Sequence, residues 1–497
     1  MRILFLDIDT LRPDHLGCYG YGRDTSPNID AIAAGGMRFD EYYCPNAPCL
    51  PSRASLVTGQ FGIRTGVVGH GGTAADLRIE GFDRHFRSDF ADNSLFNLFR
   101  RAGMRTASVS TFAERHSSYW FNAGIGELTN LGLCGGETAD MVSDAALRWL
   151  DDNAGSDGWM LHLNYWDPHT PYRTPMDYGF PFEDEPLPDD WIDAEEFAKH
   201  LGHVGPHGAN EIGMWTDAHP AGCPRHPGSV GTLGEVKRFI DNYDTGIRFC
   251  DHHIGRVVDR LKEAGVWDDC AVIITSDHGE NLGELGLYAE HGTADRVTCR
   301  IPMIVRWPGG RKGRESSFHT NVDLAPTIAG LFGLETLRGY EYDGVSFAPV
   351  LTGEGGLKPQ DGAVLTQCAH VCQRSAVWGD WLYIRTIHGG YHLFDDLMGD
   401  SGVGEMLFNV KDDPHETRNL AAGRPDLCAE GARRIIAWEE EMMSKSGYDS
   451  DPMWTVMREG GPEHCRGELR AYIERLRGTP RASRIPELEK RYRRDLT

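Results

Sequence analysis

The sequence predicts an α/β protein: a large, mainly parallel sheet flanked by helices, followed by a smaller C-terminal unit around an antiparallel sheet. Three observations carry this. Strand-like apolar runs alternate with helical patterns through roughly the first 350 residues, as expected of a sheet covered on both faces. Residues 174–232 then interrupt the pattern, being rich in Pro, Gly, Asp and His with little periodicity. Beyond about residue 356, strand-like runs follow one another with only short turns between them. A chain of 497 residues holds two or three domains at ~150 residues each. The pattern places a catalytic α/β domain at 1–355, with 174–232 as a lid or interface insertion, and a smaller domain at 356–497.

Taken in order, "RILFLDI" reads as the first strand, and "SPNIDAIAAGG" as a helix opened by serine and closed by glycine. The helix "SLFNLFRRAG" precedes the strand "RTASVS", and the amphipathic "ADMVSDAALRWLDDN" precedes "WMLHLNY". A long helix through "EVKRFIDNYDTGIRFCDHHIGRVVDRLKEAG" leads into "CAVIITS", after which "IPMIVRW" reads as a strand and "VDLAPTIAGLFG" as a helix. In the C-terminal part, "AVLTQCAH", "RSAVWGDWLYIRTI", "YHLFDD" and "EMLFNVKDD" read as successive strands, with helices after them. The basic tail from Arg481 to Arg494 reads as a solvated or packed helix.

Composition narrows the partners. Lys+Arg 50 against Asp+Glu 74 gives a net charge of -24 without a basic stripe, which speaks against nucleic acid. No run approaches the ~18 apolar residues of a membrane span. "MRILFLDIDT" reaches aspartate too early for a signal peptide, so a cytoplasmic enzyme meeting small imported molecules is expected. A homo-oligomer is compatible with all of this. The 12 cysteines lack the spacing of a disulfide framework. Cys368 and Cys372 flank His370, but no second ligand pair follows, so this falls short of a zinc site.

In open α/β sheets ligands bind at the carboxyl ends of the strands. The first strand ends in Asp7-Ile8-Asp9-Thr10, the strand near 160 runs into "YWDPHTPY" with His169, and the strand near 273 into "TSDHGE" with Asp277 and His278. Three distant segments thus bring carboxylates and imidazoles to one edge. Such a set suits a divalent cation: Ca²⁺ or Mg²⁺ if oxygen dominates, Mn²⁺ if histidine counts. In "CPNAPCLPSRASLVTGQ", Pro51 suits the first turn of a helix starting at Cys49. Its free N–H groups and Arg53 would attract an oxyanion. Cys49 itself has no orienting base nearby in sequence, so a simple thiolate nucleophile is a weaker reading.

"CLPSRASLVTG" resembles the C-x-P-S-R signature of type I sulfatases, members of the alkaline-phosphatase-like superfamily. "LDIDTLRPDHLGCYG" looks like that family's metal-binding first strand and turn, and "SDHGE" like its second metal motif. "RIPMIVRWPG", "VDLAPTI" and "LFNVKDDPHETRNLA" resemble its later segments, so the likeness spans nearly the whole chain. It implies an alkaline-phosphatase-like fold and hydrolysis of a small anionic sulfate ester. It also implies that a maturation enzyme converts Cys49 to Cα-formylglycine. Metal ligands would be Asp9, Asp277, His278 and the modified Cys49, with Ca²⁺ favoured; Arg53 would stabilise the nucleophile.

The chain departs from that pattern in several places. Thr10 stands where many members carry a second aspartate, and His278 where they carry asparagine. Asp7 is a second-choice ligand, with a structural role expected. The G-K-x-H segment is absent: Thr111 falls at the lysine's position, and His116 enters from further along. A second lysine position is occupied by His291. His169 fits the family's substrate histidine, and His70 is a further pocket candidate. His169 and His291 are the candidates for the acid that protonates the leaving alkoxide, with His116 or His70 next. Alternatives to a sulfatase are a phosphonate or phosphate ester hydrolase of the superfamily, or an unmatured binding protein.

Overall fold

In the computed structural model, residues 1–78, 89–203, 205–208, 210–211, 223–394, 397 and 404–496 are described. Fifteen strands are used below: β1 (Arg2–Ile8), β2 (Met37–Tyr43), β3 (Asn46–Ala47), β4 (Arg105–Val109), β5 (Glu127–Thr129), β6 (Trp159–Tyr165), β7 (Cys270–Thr275), β8 (Asn281–Leu282), β9 (Tyr288–Glu290), β10 (Met303–Arg306), β11 (Gly313–Thr320), β12 (Gly362–Gln367), β13 (Cys372–Trp378), β14 (Trp381–His388) and β15 (Gly404–Asn409). Eight form one sheet in the order β11-β2-β10-β7-β1-β6-β4-β5. The five strands from β7 to β5 run parallel, whereas β10 is antiparallel to both β7 and β2. The sheet is therefore mixed and mostly parallel, as expected.

Every residue of β1, β6 and β7 is buried, which requires cover on both faces. Successive residues of β1 divide accordingly. Ile3 and Phe5 pack with helices Cys49–Thr58, Leu95–Arg101 and Leu324–Leu331, while Leu4, Leu6 and Ile8 pack with Pro27–Ala34, Ala139–Asn153 and Leu233–Glu263. Strands β2 and β11 add an edge that the apolar pattern did not reveal. GRESSFHT of the outermost β11 is largely polar, because an edge is half solvated, and MRFDEYY of β2, between β11 and β10, mixes three charged residues with buried apolar ones.

The second sheet has the order β15-β14-β13-β12-β3. Its first four strands are the antiparallel run expected in the C-terminal part. The two-residue β3 joins parallel to β12, so this sheet reaches the residues just before the Cys49 helix. Leu365, Val377, Leu382, Ile384, Met406 and Phe408 share one core with Cys49 and Leu50. "YHLFDD" does not form a strand over Tyr391–Phe394: Leu393 N–H donates to Gly389 O, closing a turn. Asp395 and Asp396 lie outside the described residues.

The stretch 174–232 contains an amphipathic helix, Ala194–His203, whose Phe197 packs edge-on against Tyr288. Residues 204, 209 and 212–222 of this stretch lie outside the described set. Glu211 binds Arg481 of the C-terminal tail, which is 1 % exposed. The tail is thus packed rather than free. No helix among the described residues is long and apolar enough to cross a membrane.

Candidate active site

Register builds the site. Ile8 of β1 lies beside Tyr165 of β6, and Asp7 beside Thr275 of β7. The residues that follow each strand therefore emerge at one edge: Asp9, the loop with His169, and Asp277-His278. The Cys49–Thr58 helix points its N-terminus at this edge. It stops at Gly59, whose φ of 66° is left-handed. An added Cβ there would lie 2.5 Å from a Tyr342 ring carbon, which explains the glycine of the T-G pair.

Cys49 Sγ lies 3.1 Å from His278 Nε2 and 3.8 Å from His169 Nε2. Asp9, Cys49, Asp277 and His278 each offer a ligand atom within 4.8 Å of the others, all buried. His278 Nδ1 lies 2.8 Å from Gly279 O. With its proton on Nδ1, the ring turns a free Nε2 lone pair towards Cys49, the way a metal-ligating histidine is held.

Arg53 follows Cys49 by four residues and so shares its helix face. It donates to Asp7 at 2.8 and 3.1 Å, to Asp9 at 3.0 Å, and to Asp277. Asp7 is thus occupied by Arg53 and lies outside the four-residue ligand cluster. Thr10 donates its hydroxyl to Asp9 and its N–H to Asp277. Its φ is 63°, an outlier for a β-branched residue, held at a place where chemistry is concentrated.

The electrostatics favour a cation. Three buried carboxylates share one guanidinium. Burial, the largest influence, pushes each acid upward, but Arg53 together with His162 for Asp7, and with His169, His278 and the Thr10 hydroxyl for Asp9, outweighs it and holds both below the ordinary range. For Asp277 burial wins over Arg53, and its pKa rises to about 6. Burial and the carboxylates of Asp9 and Asp277 push the Cys49 thiol well up, which disfavours the thiolate. Two carboxylates, an imidazole and an atom from residue 49 thus fit a divalent cation, which would offset the excess negative charge.

Six histidines line the space beside Cys49. The His291 ring is 4.2 Å from that of His278 and 5.4 Å from that of His169. His370 lies 5.2 Å beyond His291, and His464 stacks on His370 at 4.2 Å. His464 Nε2 is 2.8 Å from His70 Nδ1, while His70 Nε2 faces the Leu50 N–H at 3.5 Å. The His116 ring is 5.1 Å from that of His70. The four histidines expected here, His70, His116, His169 and His291, are thus brought together. Burial holds His70, His169, His291 and His370 well below their ordinary value, and brings His116 to about 3 and His464 to about 4.

Sequence reasoning missed three contributors. His464 sits in "GPEHCRGE", where no pattern marks it. His370 had drawn notice only between its cysteines, yet Cys368 and Cys372 turn away to pack with Val68, Met453 and Val456. Arg115 is exposed, and its charge contributes to lowering the pKa of His116, His169 and His464. Thr111 is directed elsewhere: its hydroxyl donates to Glu137 at 2.8 Å.

Comparison with known proteins agrees with this geometry. Residues 2–334 match the family model described as Sulfatase. The choline-sulfatase of Rhizobium meliloti is 25% identical, with 87% of this chain and 86% of the relative covered. The N-acetylglucosamine-6-O-sulfatase of Bacteroides thetaiotaomicron is 24% identical, with 71% of each covered. The solved phosphonate monoester hydrolase of Agrobacterium radiobacter has the same fold, with a TM-score of 0.63 at 18% identity, 89% of this chain and 96% of that one being covered. The chain belongs to the sulfatase family and is a sulfatase-family enzyme.

Proposed function

We propose that this enzyme hydrolyses the sulfate monoester of a small sulfated carbohydrate, using Cα-formylglycine made from Cys49 by a maturation enzyme. One divalent cation, Ca²⁺ by preference, would be held by Asp9, Asp277, His278 and the oxidised side chain of residue 49. The observation that carries this is the convergence of those four buried residues beneath a helix N-terminus. Oxygen donors form the majority, which favours a hard cation, Ca²⁺ or Mg²⁺, while the His278 imidazole suits Mn²⁺. The bound cation supplies Lewis-acid stabilisation of sulfuryl oxygens. Formylglycine at residue 49 would supply, as its hydrate, two hydroxyls on one carbon for nucleophilic catalysis at sulfur.

The remaining residues hold these groups in place. Arg53 fixes Asp9 and Asp277 from behind, and Ser52 donates to Asp277 O at 2.6 Å. His169, with Nδ1 against Thr170 O, turns Nε2 towards Cys49 and is our candidate for binding the ester oxygen and protonating it. His291 flanks it. Both imidazoles are neutral when buried at rest. The anionic sulfate raises an adjacent imidazole's pKa, and that enables proton donation only with substrate bound.

Relatives named for a sulfated sugar and a small alcohol support a compact substrate. A second reading, phosphonate or phosphate ester hydrolysis, is favoured by one observation: Thr111 and His291 leave both sulfate-gripping lysine positions without a fixed cation. Formylglycine-bearing enzyme assayed on sulfate, phosphate and phosphonate esters of one alcohol decides between them. Highest kcat/KM on the sulfate supports the proposal, whereas a phosphonate preference overturns it.

A further inference from the structure

We infer that Glu290, His291 and His370 form a second metal site, beside the first, for a borderline divalent cation of the zinc class. Their ligand atoms lie within 4.8 Å of one another and all three residues are buried. Glu290 Oε2 stands 3.3 Å from His370 Nε2 and 3.5 Å from His291 Nε2. Neither pair has the geometry of a hydrogen bond; the Oε2 contact that qualifies is with the His291 backbone N–H at 3.4 Å. Atoms around a tetrahedral ion with bonds of ~2.1 Å are spaced by about 3.4 Å. The side chains are therefore spaced as ligands of a shared ion are.

A second observation points the same way. Glu280 is fully buried, and neither of its carboxylate oxygens has a hydrogen-bond partner. Its Oε2 faces His291 Nδ1, also unpartnered, at 3.7 Å. A carboxylate behind the far nitrogen of a ligating imidazole is the usual outer support of a metal-bound histidine. An uncompensated buried acid is otherwise costly, and no lysine or arginine forms an ion pair with Glu280 or Glu290 among the described residues. Two imidazoles and one carboxylate select zinc-class ions over calcium and leave a coordination position open. A cavity of about 20 Å³, room for one water, adjoins His370 and is also lined by His392 and His464.

On the sulfatase reading, this ion restores the positive charge that the lost lysines would have given the sulfate pocket. Metal binding itself does not depend on that reading or on conversion of Cys49. The test is metal content and cobalt absorption of the full chain, stripped with chelator and reloaded with Co²⁺ or Zn²⁺. Wild type is expected to hold two equivalents, Glu290→Gln and His370→Ala one each, and Asp277→Asn also one. Glu290→Gln combined with Asp277→Asn should hold none. Each variant's circular dichroism is compared with wild type, and the conservative Glu290→Gln guards against a folding loss in His370→Ala. Two equivalents retained in folded Glu290→Gln and His370→Ala would overturn the second site. So would a wild type with a single equivalent that Asp277→Asn removes, an outcome that leaves the first site standing.

Discussion

The two walls of the active site are made in different ways. One wall, Asp9, Asp277 and His278, sits at the ends of adjacent parallel strands whose register leaves little freedom. The facing wall, His70, His116, His291, His370 and His464, comes from loops spread over the chain, with His370 and His464 supplied by its C-terminal part. The first wall is charged and locked by Arg53, while the second is neutral and held by ring contacts and one imidazole pair. Strand register places charge where it is needed for chemistry.

The largest effect should come from the charged wall's partner, Cys49. Cys49→Ala should cost on the order of 10⁴-fold or more in turnover, the scale seen when a covalent nucleophile is removed, while the melting temperature stays near that of wild type. Substantial hydrolysis by this variant would separate the thiol from the chemistry.

Arg53→Ala attacks the lock itself. It strands three buried carboxylates, and the loss of one partner from such a network costs about 3–5 kcal/mol, measurable by urea unfolding. Arg53→Lys should recover only part of that, since an ammonium cannot reproduce the fork. Equal stability of all three proteins would mean that the carboxylates have other partners.

The histidines beside Cys49 should answer to the leaving group. His169→Ala should lose about 10²-fold more rate on a sugar sulfate than on nitrophenyl sulfate, the low end of what general acid catalysis contributes; His291→Ala is the control for sulfate binding. Equal losses on both esters in both variants would show that neither is the acid. His464→Ala removes the 2.8 Å contact to His70. At about 1 kcal/mol for a hydrogen bond, KM should rise roughly fivefold with kcat little changed. A loss confined to kcat would place His464 in the chemistry instead.

A pH effect concerns Asp167 in "YWDPH", which lies beside Ala139 and Asp140. Both its carboxylate oxygens are buried without a partner, and burial, only partly offset by Arg173, raises its pKa from 3.8 to about 8. The folded protein thus keeps a proton that the unfolded chain releases. Its contribution to stability is fully present below pH 3.8 and is lost as pH rises to about 8. Thermal melts of Asp167→Asn across that window should fall less with pH than those of wild type. Parallel curves would refute the assignment.

What could be read in advance follows the same division. Strands β1, β6 and β7 announced themselves as apolar runs, and the acids that follow β1 and β7, Asp9 and Asp277, mark the charged wall. The Cys49 helix was legible because Pro51 and Gly59 punctuate it. Strands β2 and β11 were not, since the charged residues of β2 and the polar run of the edge strand β11 leave little apolar signal. His464 and Arg115 were hidden for another reason: no local spacing ties them to the site, and only tertiary packing brings them there. Thr111 illustrates the reverse, a position inferred from alignment with a lysine whose short side chain turns instead to Glu137.

The central claim is that residue 49 acts only after oxidation. Co-expression with graded amounts of a formylglycine-generating enzyme, followed by peptide mass analysis at residue 49 and assay of the same samples, tests it directly. The account predicts that turnover per chain rises in proportion to the fraction carrying formylglycine and vanishes when all chains carry the thiol. Full activity in a sample whose residue 49 is entirely cysteine would contradict it.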